Sequence, residues 1–152
     1  MTVLLEAKNL SKHYRLARGE TLRAVSDVSL VVHRGEALAL VGESGCGKST
    51  LGRTLIGLGA PSSGEVFFEG ERISGLSDRA LRRWRPRMQM VFQDSSSTFN
   101  PRRTIGDTLA EPMRIHGRTG IAERIGALLE QVGLSSSVLS RYPHEFSGGQ
   151  RQ

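Results

Sequence analysis

A disulfide-stabilised fold is excluded at the outset, because the sequence contains one cysteine, Cys46, among its 152 residues. One cysteine also excludes a metal site built from a cysteine cluster, and the four histidines show no metal-ligand spacing. The chain has no apolar run close to the roughly 18 residues of a membrane-spanning helix, and no basic-then-apolar leader. We therefore expect a cytoplasmic protein without a membrane span.

Acidic residues are in the minority, with 15 Asp and Glu against 21 Lys and Arg and a net charge of +6. Such an excess is typical of proteins that bind nucleic acid or anionic membranes. The basic residues are spread along the chain, however, and no nucleic-acid-binding motif is present, so we expect no nucleic-acid partner. The densest arginine cluster, at residues 79–87 around Trp84, is either a solvated helix face or a docking surface.

The sequence does contain a glycine-rich stretch at residues 42–50, GESGCGKST, which fits the pattern G-x-x-x-x-G-K-[ST]. A triphosphate needs several backbone N–H groups close to it, and glycines allow the backbone to approach. Lys48 adds a compact positive charge for the β- and γ-phosphates, and Ser49 offers a hydroxyl to Mg²⁺. The predicted phosphate site comprises Gly42, Glu43, Ser44, Gly45, Cys46, Gly47, Lys48, Ser49 and Thr50.

The residues on both sides of this loop favour a phosphate site over a chance glycine-rich turn. Residues 37–41 form an apolar run typical of a buried parallel strand, and apolar residues recur at helical spacing from Leu51 to Leu58. The predicted order is strand, loop, helix, which the motif requires. Cys46 is either a small space-filling residue, which we favour, or a thiolate activated by the start of the helix.

The remaining pattern predicts an α/β protein. Strands are predicted at residues 3–15, 25–33, 66–69, 71–74 and 88–92, with the third and fourth flanking Gly70 as a hairpin. Helices are predicted at residues 105–115, interrupted near Pro112, and at 121–132. We therefore expect a core with its β portion at residues 1–93 and a small helical subdomain at 94–152.

Three further features have two interpretations each. Tyr14 is either a half-buried strand aromatic or a ring on which a purine base stacks. Gln93 follows a predicted strand, where open α/β sheets place ligand contacts, but a surface amide fits the position as well. The Ser-Gly-Gly turn at residues 147–149 either presents backbone donors and a hydroxyl to a phosphate or is a flexible terminus.

Taken together, GESGCGKST at 42–50, Gln93 after an apolar run and FSGGQRQ at 146–152 resemble the ATP-binding subunit of ABC transporters. The resemblance implies a P-loop NTPase fold, with an antiparallel β portion and a helical subdomain, that binds ATP and Mg²⁺. It implies that Tyr14 stacks on adenine and that Lys48 and Ser49 hold phosphate and metal. It also implies that Gln93 contacts Mg²⁺ and the attacking water, which makes Lys48 and Gln93 the catalytic residues.

The same resemblance makes the carboxyl-terminal loop a nucleotide contact. In this family the signature loop contacts ATP bound to the opposite subunit of a head-to-tail dimer. The matching residues here are Ser147, Gly148, Gly149 and Gln150.

Residues 92–117 and 141–152 are similar to segments of dipeptide and oligopeptide importers, including Phe146 in place of the commoner leucine. This resemblance implies a peripheral subunit at the cytoplasmic face of the membrane that energises peptide import. Its implied partners are a second ATP-binding subunit and transmembrane permease subunits, with Arg102 and Arg103 in the docking face. The alternatives are a non-catalytic nucleotide-binding fragment and a soluble ABC-type ATPase unrelated to transport.

In the family, an apolar strand ending in Asp-Glu and then a switch histidine follow the signature loop, and these 152 residues contain neither. The expectation from sequence is an incomplete ABC domain that ends after the signature. Phosphoryl transfer depends on positioning both water and metal, so such a chain should bind nucleotide weakly and hydrolyse essentially none by itself.

Overall fold

The computed structural model describes residues 2–92 and 99–151. The chain forms two compact units, Met1–Met90 and Val91–Gln152. The first contains strands β1 (Val3–Arg15), β2 (Thr21–His33), β3 (Ser63–Phe68) and β4 (Glu71–Arg72), and helices α1 (Lys48–Leu55) and α2 (Asp78–Leu81). The second contains α3 (Ile105–Ile115), α4 (Ile121–Gln131) and α5 (Gly148–Arg151). Short 3₁₀ turns lie at Ala17–Gly19, Arg85–Arg87, Ser136–Ser140 and Pro143–Glu145.

The sheet of the first unit is antiparallel, with the strand order β2-β1-β3-β4. Strand β1 covers the predicted residues and pairs with both β2 and β3, while β2 begins at Thr21, four residues before the predicted start. Lys12 pairs with Val25 but His13 pairs with Arg23, so β2 carries one extra residue, Ala24, at this point. The extra residue forms a β-bulge that bends the strand pair beside the candidate site.

The predicted hairpin around Gly70 is confirmed, but its strands are Ser63–Phe68 and Glu71–Arg72, whereas residues 66–69 and 71–74 were predicted. Phe68 pairs with Glu71, and the two residues between them, Glu69 and Gly70, have φ angles of 50° and 79°. Two consecutive positive φ angles define the type I′ turn that matches the twist of antiparallel strands. On the core side of this hairpin, Phe68 makes an edge-to-face contact with buried Trp84, with ring centroids 5.5 Å apart.

Two strand predictions are wrong. Residues 37–41 and 88–92 have no strand structure, and Val41 and Val91 are 94% and 90% exposed. An apolar run becomes a strand only when neighbouring backbone completes its hydrogen-bond ladder, and no described residue pairs with either run. The expected parallel strands are therefore absent from the described part of the chain, whereas the antiparallel portion is present.

The second unit is a helical cluster. Its buried core consists of Ile105, Ala110, Ile125, Leu129, Val138 and Phe146. Thr104 caps α3 by accepting a hydrogen bond from the Asp107 N–H at 3.1 Å. Helix α4 ends at Gln131 with Val132 as its C-cap, within one residue of the prediction.

The expected interruption of α3 near Pro112 is wrong, because the helix continues to Ile115. Proline removes one N–H donor, which here falls in the last turns of the helix. Met113 packs against the helical core, and the His116 N–H donates to the Pro112 carbonyl at 3.1 Å. Packing and this closing bond hold the last turn in place. No helix in residues 2–92 or 99–151 is long and apolar enough to cross a membrane.

Candidate functional site

The glycine-rich loop leads directly into α1. Gly47 is the N-cap of the helix with φ of 98°, and the Leu51 N–H donates to the Gly47 carbonyl at 2.8 Å. A Cβ atom on Gly47 would overlap the carbonyl oxygen of Ala24, the bulge residue of β2. Both the positive φ and the close approach therefore require glycine at this position.

Lys48 folds back under the loop that precedes it. Its Nζ donates to the carbonyl oxygens of Gly42 and Glu43, at 2.7 Å each, and lies 3.7 Å from the Cys46 Sγ. No carboxylate within the described residues pairs with this ammonium. Its charge is therefore not neutralised by an acidic side chain among the described residues. Because its three N–H donors all contact the loop, a bound anion would replace one or more of these contacts.

The start of α1 completes an environment suited to anions. Ser49 and Thr50 occupy its first turn, which contains no acidic side chain, and Ser49 is exposed. Unpaired N–H groups and the helix dipole favour negative charge at such an N-terminus. The structure thus places the loop, the lysine and the helix start together, as the sequence predicts.

A cavity of about 420 Å³ adjoins the loop. Its lining residues come from β2, residues 40–41, the loop and α1: Arg23, Ala24, Val25, Ser26, Val28, Leu40, Val41, Cys46, Gly47, Lys48 and Leu51. The contribution of β2 was not predicted from the sequence. The bulge at Ala24, which brings this strand against the loop, has no signature in the sequence.

Tyr14 lies on β1 opposite Leu22, next along β2 to the cavity residue Arg23. Tyr14 is 43% exposed, so the residue is accessible to a ligand. The Lys12 Nζ lies 5.0 Å from the ring centroid. Lys12 was not predicted as a site residue, although residues two apart on a strand share a face and this spacing was a usable signal.

The predicted metal and water contact Gln93 lies outside the described residues. Within them, no cluster of three or more His, Cys, Asp or Glu side chains could hold a metal ion. Magnesium is usually bound through one or two carboxylates with phosphate oxygens and water, but in phosphate-binding loops a Ser or Thr hydroxyl is a ligand. Ser49, an exposed residue in the first turn of α1, offers such a hydroxyl.

The predicted signature loop begins the last helix of the second unit. Ser147 and Gln150 form a reciprocal cap on α5: the Gln150 N–H donates to Ser147 Oγ at 3.3 Å, and the Ser147 N–H donates to Gln150 Oε1 at 3.1 Å. A Cβ atom on Gly148 or Gly149 would meet nothing within 4 Å among the described residues. Phe146, only 5% exposed, anchors the loop in the helical core.

The family described as "ABC transporter" matches residues 25–152 of the chain. The chain is 48% identical to the oligopeptide transport ATP-binding protein OppF of Bacillus subtilis, over 98% of its own length and 50% of that protein. It is 49% identical to the probable peptide ABC transporter ATP-binding protein y4tS of Sinorhizobium fredii, over 98% of its length and 45% of that protein. The chain thus spans about half the length of the curated relatives it matches.

Solved structures with a similar fold include the ATP-binding cassette MJ0796 in a dimeric, post-hydrolysis state bound to ADP and Pi. The TM-score is 0.82 at 29% identity, covering 97% of this chain and 65% of that one. The fold is also similar to that of cbiO1 from Clostridium perfringens, with a TM-score of 0.76 at 24% identity, covering 99% of this chain and 58% of that one.

Proposed function

The chain belongs to the ABC transporter family, and we propose that it forms the nucleotide-binding part of an ATP-binding subunit that energises peptide import. The observation that carries the proposal is the Lys48 ammonium, held by two loop carbonyls at the start of α1 with no carboxylate partner among the described residues. The names of the relatives, which are peptide-transport proteins, favour transport over a soluble ABC-type ATPase.

In this proposal the residues of the loop hold the triphosphate of ATP. Lys48 places its charge on the β- and γ-phosphates, while the Ser49 hydroxyl and the first turn of α1 face Mg²⁺ and phosphate oxygens. The bound ATP supplies the phosphoanhydride, and Mg²⁺ offsets the charge of its oxygens. Adenine stacks on the exposed ring of Tyr14, whose strand pair borders the loop cavity. Gln93 remains the proposed contact to Mg²⁺ and water.

We assign ATP binding to residues 1–93 and a helical subdomain to residues 94–152. The signature loop of that subdomain is proposed to contact ATP on a second ATP-binding subunit. The open space around Gly148 and Gly149 supports this role, because no contact inside the described chain requires glycine there. Ser147 keeps a hydroxyl proton to donate, since its oxygen accepts in the α5 cap.

The proposed partners also include transmembrane permease subunits, so that the subunit sits at the cytoplasmic face of the membrane. Arg103 is engaged internally: it donates to Glu111 at 2.5 Å, and this carboxylate raises the pKa of the guanidinium. Arg102 is exposed, and its hydrogen bond to another described residue is made by the backbone: the Arg102 N–H donates to Asn100 Oδ1 at 3.0 Å. Arg102 is therefore the better candidate for contacting a partner.

Nucleotide binding to the chain tests the proposal. We expect Mg-ATP to bind in calorimetry and to raise the thermal unfolding midpoint, because a ligand that binds only the folded state stabilises it. The matched comparison is adenosine, which lacks phosphates. No binding or stabilisation at millimolar Mg-ATP would contradict the proposal and favour an inert fragment.

A further inference from the structure

Lys12 joins two parts of the nucleotide-binding unit. It lies on β1 two residues before Tyr14, so both side chains are on the same face of the strand. The Lys12 Nζ donates to the Ala60 carbonyl at 2.7 Å and lies 5.0 Å from the centroid of the Tyr14 ring. One ammonium thus contacts an aromatic face and a backbone oxygen of a different segment.

Ala60 lies in the segment that directly follows α1, the proposed phosphate-binding helix. This segment is hydrogen-bonded to β1 on both sides of Lys12. The Ser62 N–H donates to the Ser11 carbonyl at 2.8 Å, and the His13 N–H donates to Ser62 Oγ at 2.9 Å. The ammonium is therefore held at a defined position along the strand, not free in solvent.

A cation held over one face of an aromatic ring has two effects. It attracts the ring through the negative potential of the π face, which limits the orientations that an exposed tyrosine samples. It also covers that face, so a planar ligand stacks on the opposite one. Ordering a side chain before binding lowers the entropic cost of binding, which is the general advantage of preorganisation.

We propose that Lys12 is a positioning residue for the base: tied to Ala60, it orients the Tyr14 ring so that the uncovered face receives adenine. The inference rests on the proposed function, because it assumes that the chain binds ATP with adenine on Tyr14. It extends that function by making base recognition depend on the segment that leaves the phosphate-binding helix.

The test separates base binding from phosphate binding. Calorimetry is done with ATP, which offers base and phosphates, and with inorganic tripolyphosphate, which offers phosphates alone. For Lys12→Met, which keeps the apolar stem, we expect ATP to bind about two- to fivefold more weakly, as an exposed cation–π contact implies. Tripolyphosphate affinity should be unchanged, and Lys12→Arg should retain most of the ATP affinity.

Two further variants distinguish orientation of the Tyr14 ring from a general effect of Lys12 on the fold. Lys8→Met removes a cation–π contact of the same kind on the same strand, over Phe67 instead of Tyr14, and should not weaken ATP binding selectively. In a Tyr14→Ala background, Lys12→Met should cause no further loss, because the ring on which it acts is absent. If Lys12→Met does not fold, Lys12→Gln provides the same comparison.

The outcomes are distinct. Failure of the unaltered chain to bind ATP would overturn the proposed function and this inference with it. ATP binding that Lys12→Met leaves unchanged would overturn the inference alone. An equal loss of ATP and tripolyphosphate affinity would also overturn it, since Lys12 would then only maintain the fold.

Discussion

Gly47 lies directly against the carbonyl group of Ala24, the extra residue in the bulge of β2. Gly47 caps α1, so this contact joins α1 to the antiparallel sheet. Because no side chain separates the two backbones, the position of the loop depends on the bulge as well as on the loop's own sequence.

Gly47→Ala is expected to destabilise the chain more than Gly45→Ala. Both glycines have positive φ, 98° and 83°, so each substitution costs about 1–2 kcal/mol of backbone strain. Only the Cβ at position 47 also overlaps backbone, whereas that at position 45 meets nothing within 4 Å. Chemical denaturation of the two variants measures the difference, and equal losses would show that the Ala24 contact is not rigid.

Lys48→Ala should weaken ATP binding by at least about tenfold, because hydrogen bonds to charged groups contribute roughly 1.5–3 kcal/mol. Lys8→Ala is the matched control. Lys8 is also a lysine of the first unit, but it pairs with Glu6 at 3.3 Å and lies over Phe67. Calorimetry with Mg-ATP checks the prediction, and similar affinities for the two variants would argue against Lys48 as the phosphate ligand.

Gly149→Ala should leave folding intact and weaken ATP-dependent association with a second ATP-binding subunit. The added methyl group meets nothing inside the described chain and would project toward the proposed partner. Gly126→Ala in α4 is the control, because its Cβ also meets nothing within 4 Å. Sedimentation with and without Mg-ATP measures self-association. If the chain associates with ATP and Gly149→Ala behaves as Gly126→Ala does, the signature loop is not in the interface.

Arg102→Ala should reduce binding to the proposed permease partners while leaving the thermal unfolding of the chain unchanged. Arg103→Ala is the informative contrast, because it breaks the ion pair with Glu111 on α3 and should lower the unfolding midpoint slightly. Co-purification with the permease subunits and thermal denaturation provide the two measurements. Undiminished co-purification of Arg102→Ala would exclude that side chain from the docking face.

The loss of folding stability at acidic pH should depend on Glu69. Its pKa is lowered from 4.5, first by the hydrogen bond from Arg87 and further by Arg34. A carboxyl with a depressed folded-state pKa stabilises the fold above its unfolded pKa, and this contribution is lost as the pH falls through the folded value. Glu69→Gln should therefore flatten the loss of stability below about pH 4.5, relative to the exposed Glu20→Gln, in denaturation at a series of pH values.

Local patterns in the sequence determined much of this protein. The loop and the start of α1 follow from glycine spacing and helix chemistry, and β1, the hairpin at Gly70 and the helices α3 and α4 follow from periodicity and turn residues. These features depend on neighbours only a few residues away, so the local sequence was sufficient to predict them. The position of the glycine-rich loop before α1 was therefore predictable, whereas phosphate binding by its residues stays a prediction.

Only the tertiary structure decided the features that depend on distant backbone. Residues 37–41 are apolar but form no strand, because a strand needs a hydrogen-bonded partner and not only a suitable composition. Helix α3 runs past Pro112 because core packing outweighs the lost donor. The Ala24 bulge against Gly47, and Lys12 between Tyr14 and Ala60, join residues far apart in the chain, so their contacts arise from the packing of whole segments.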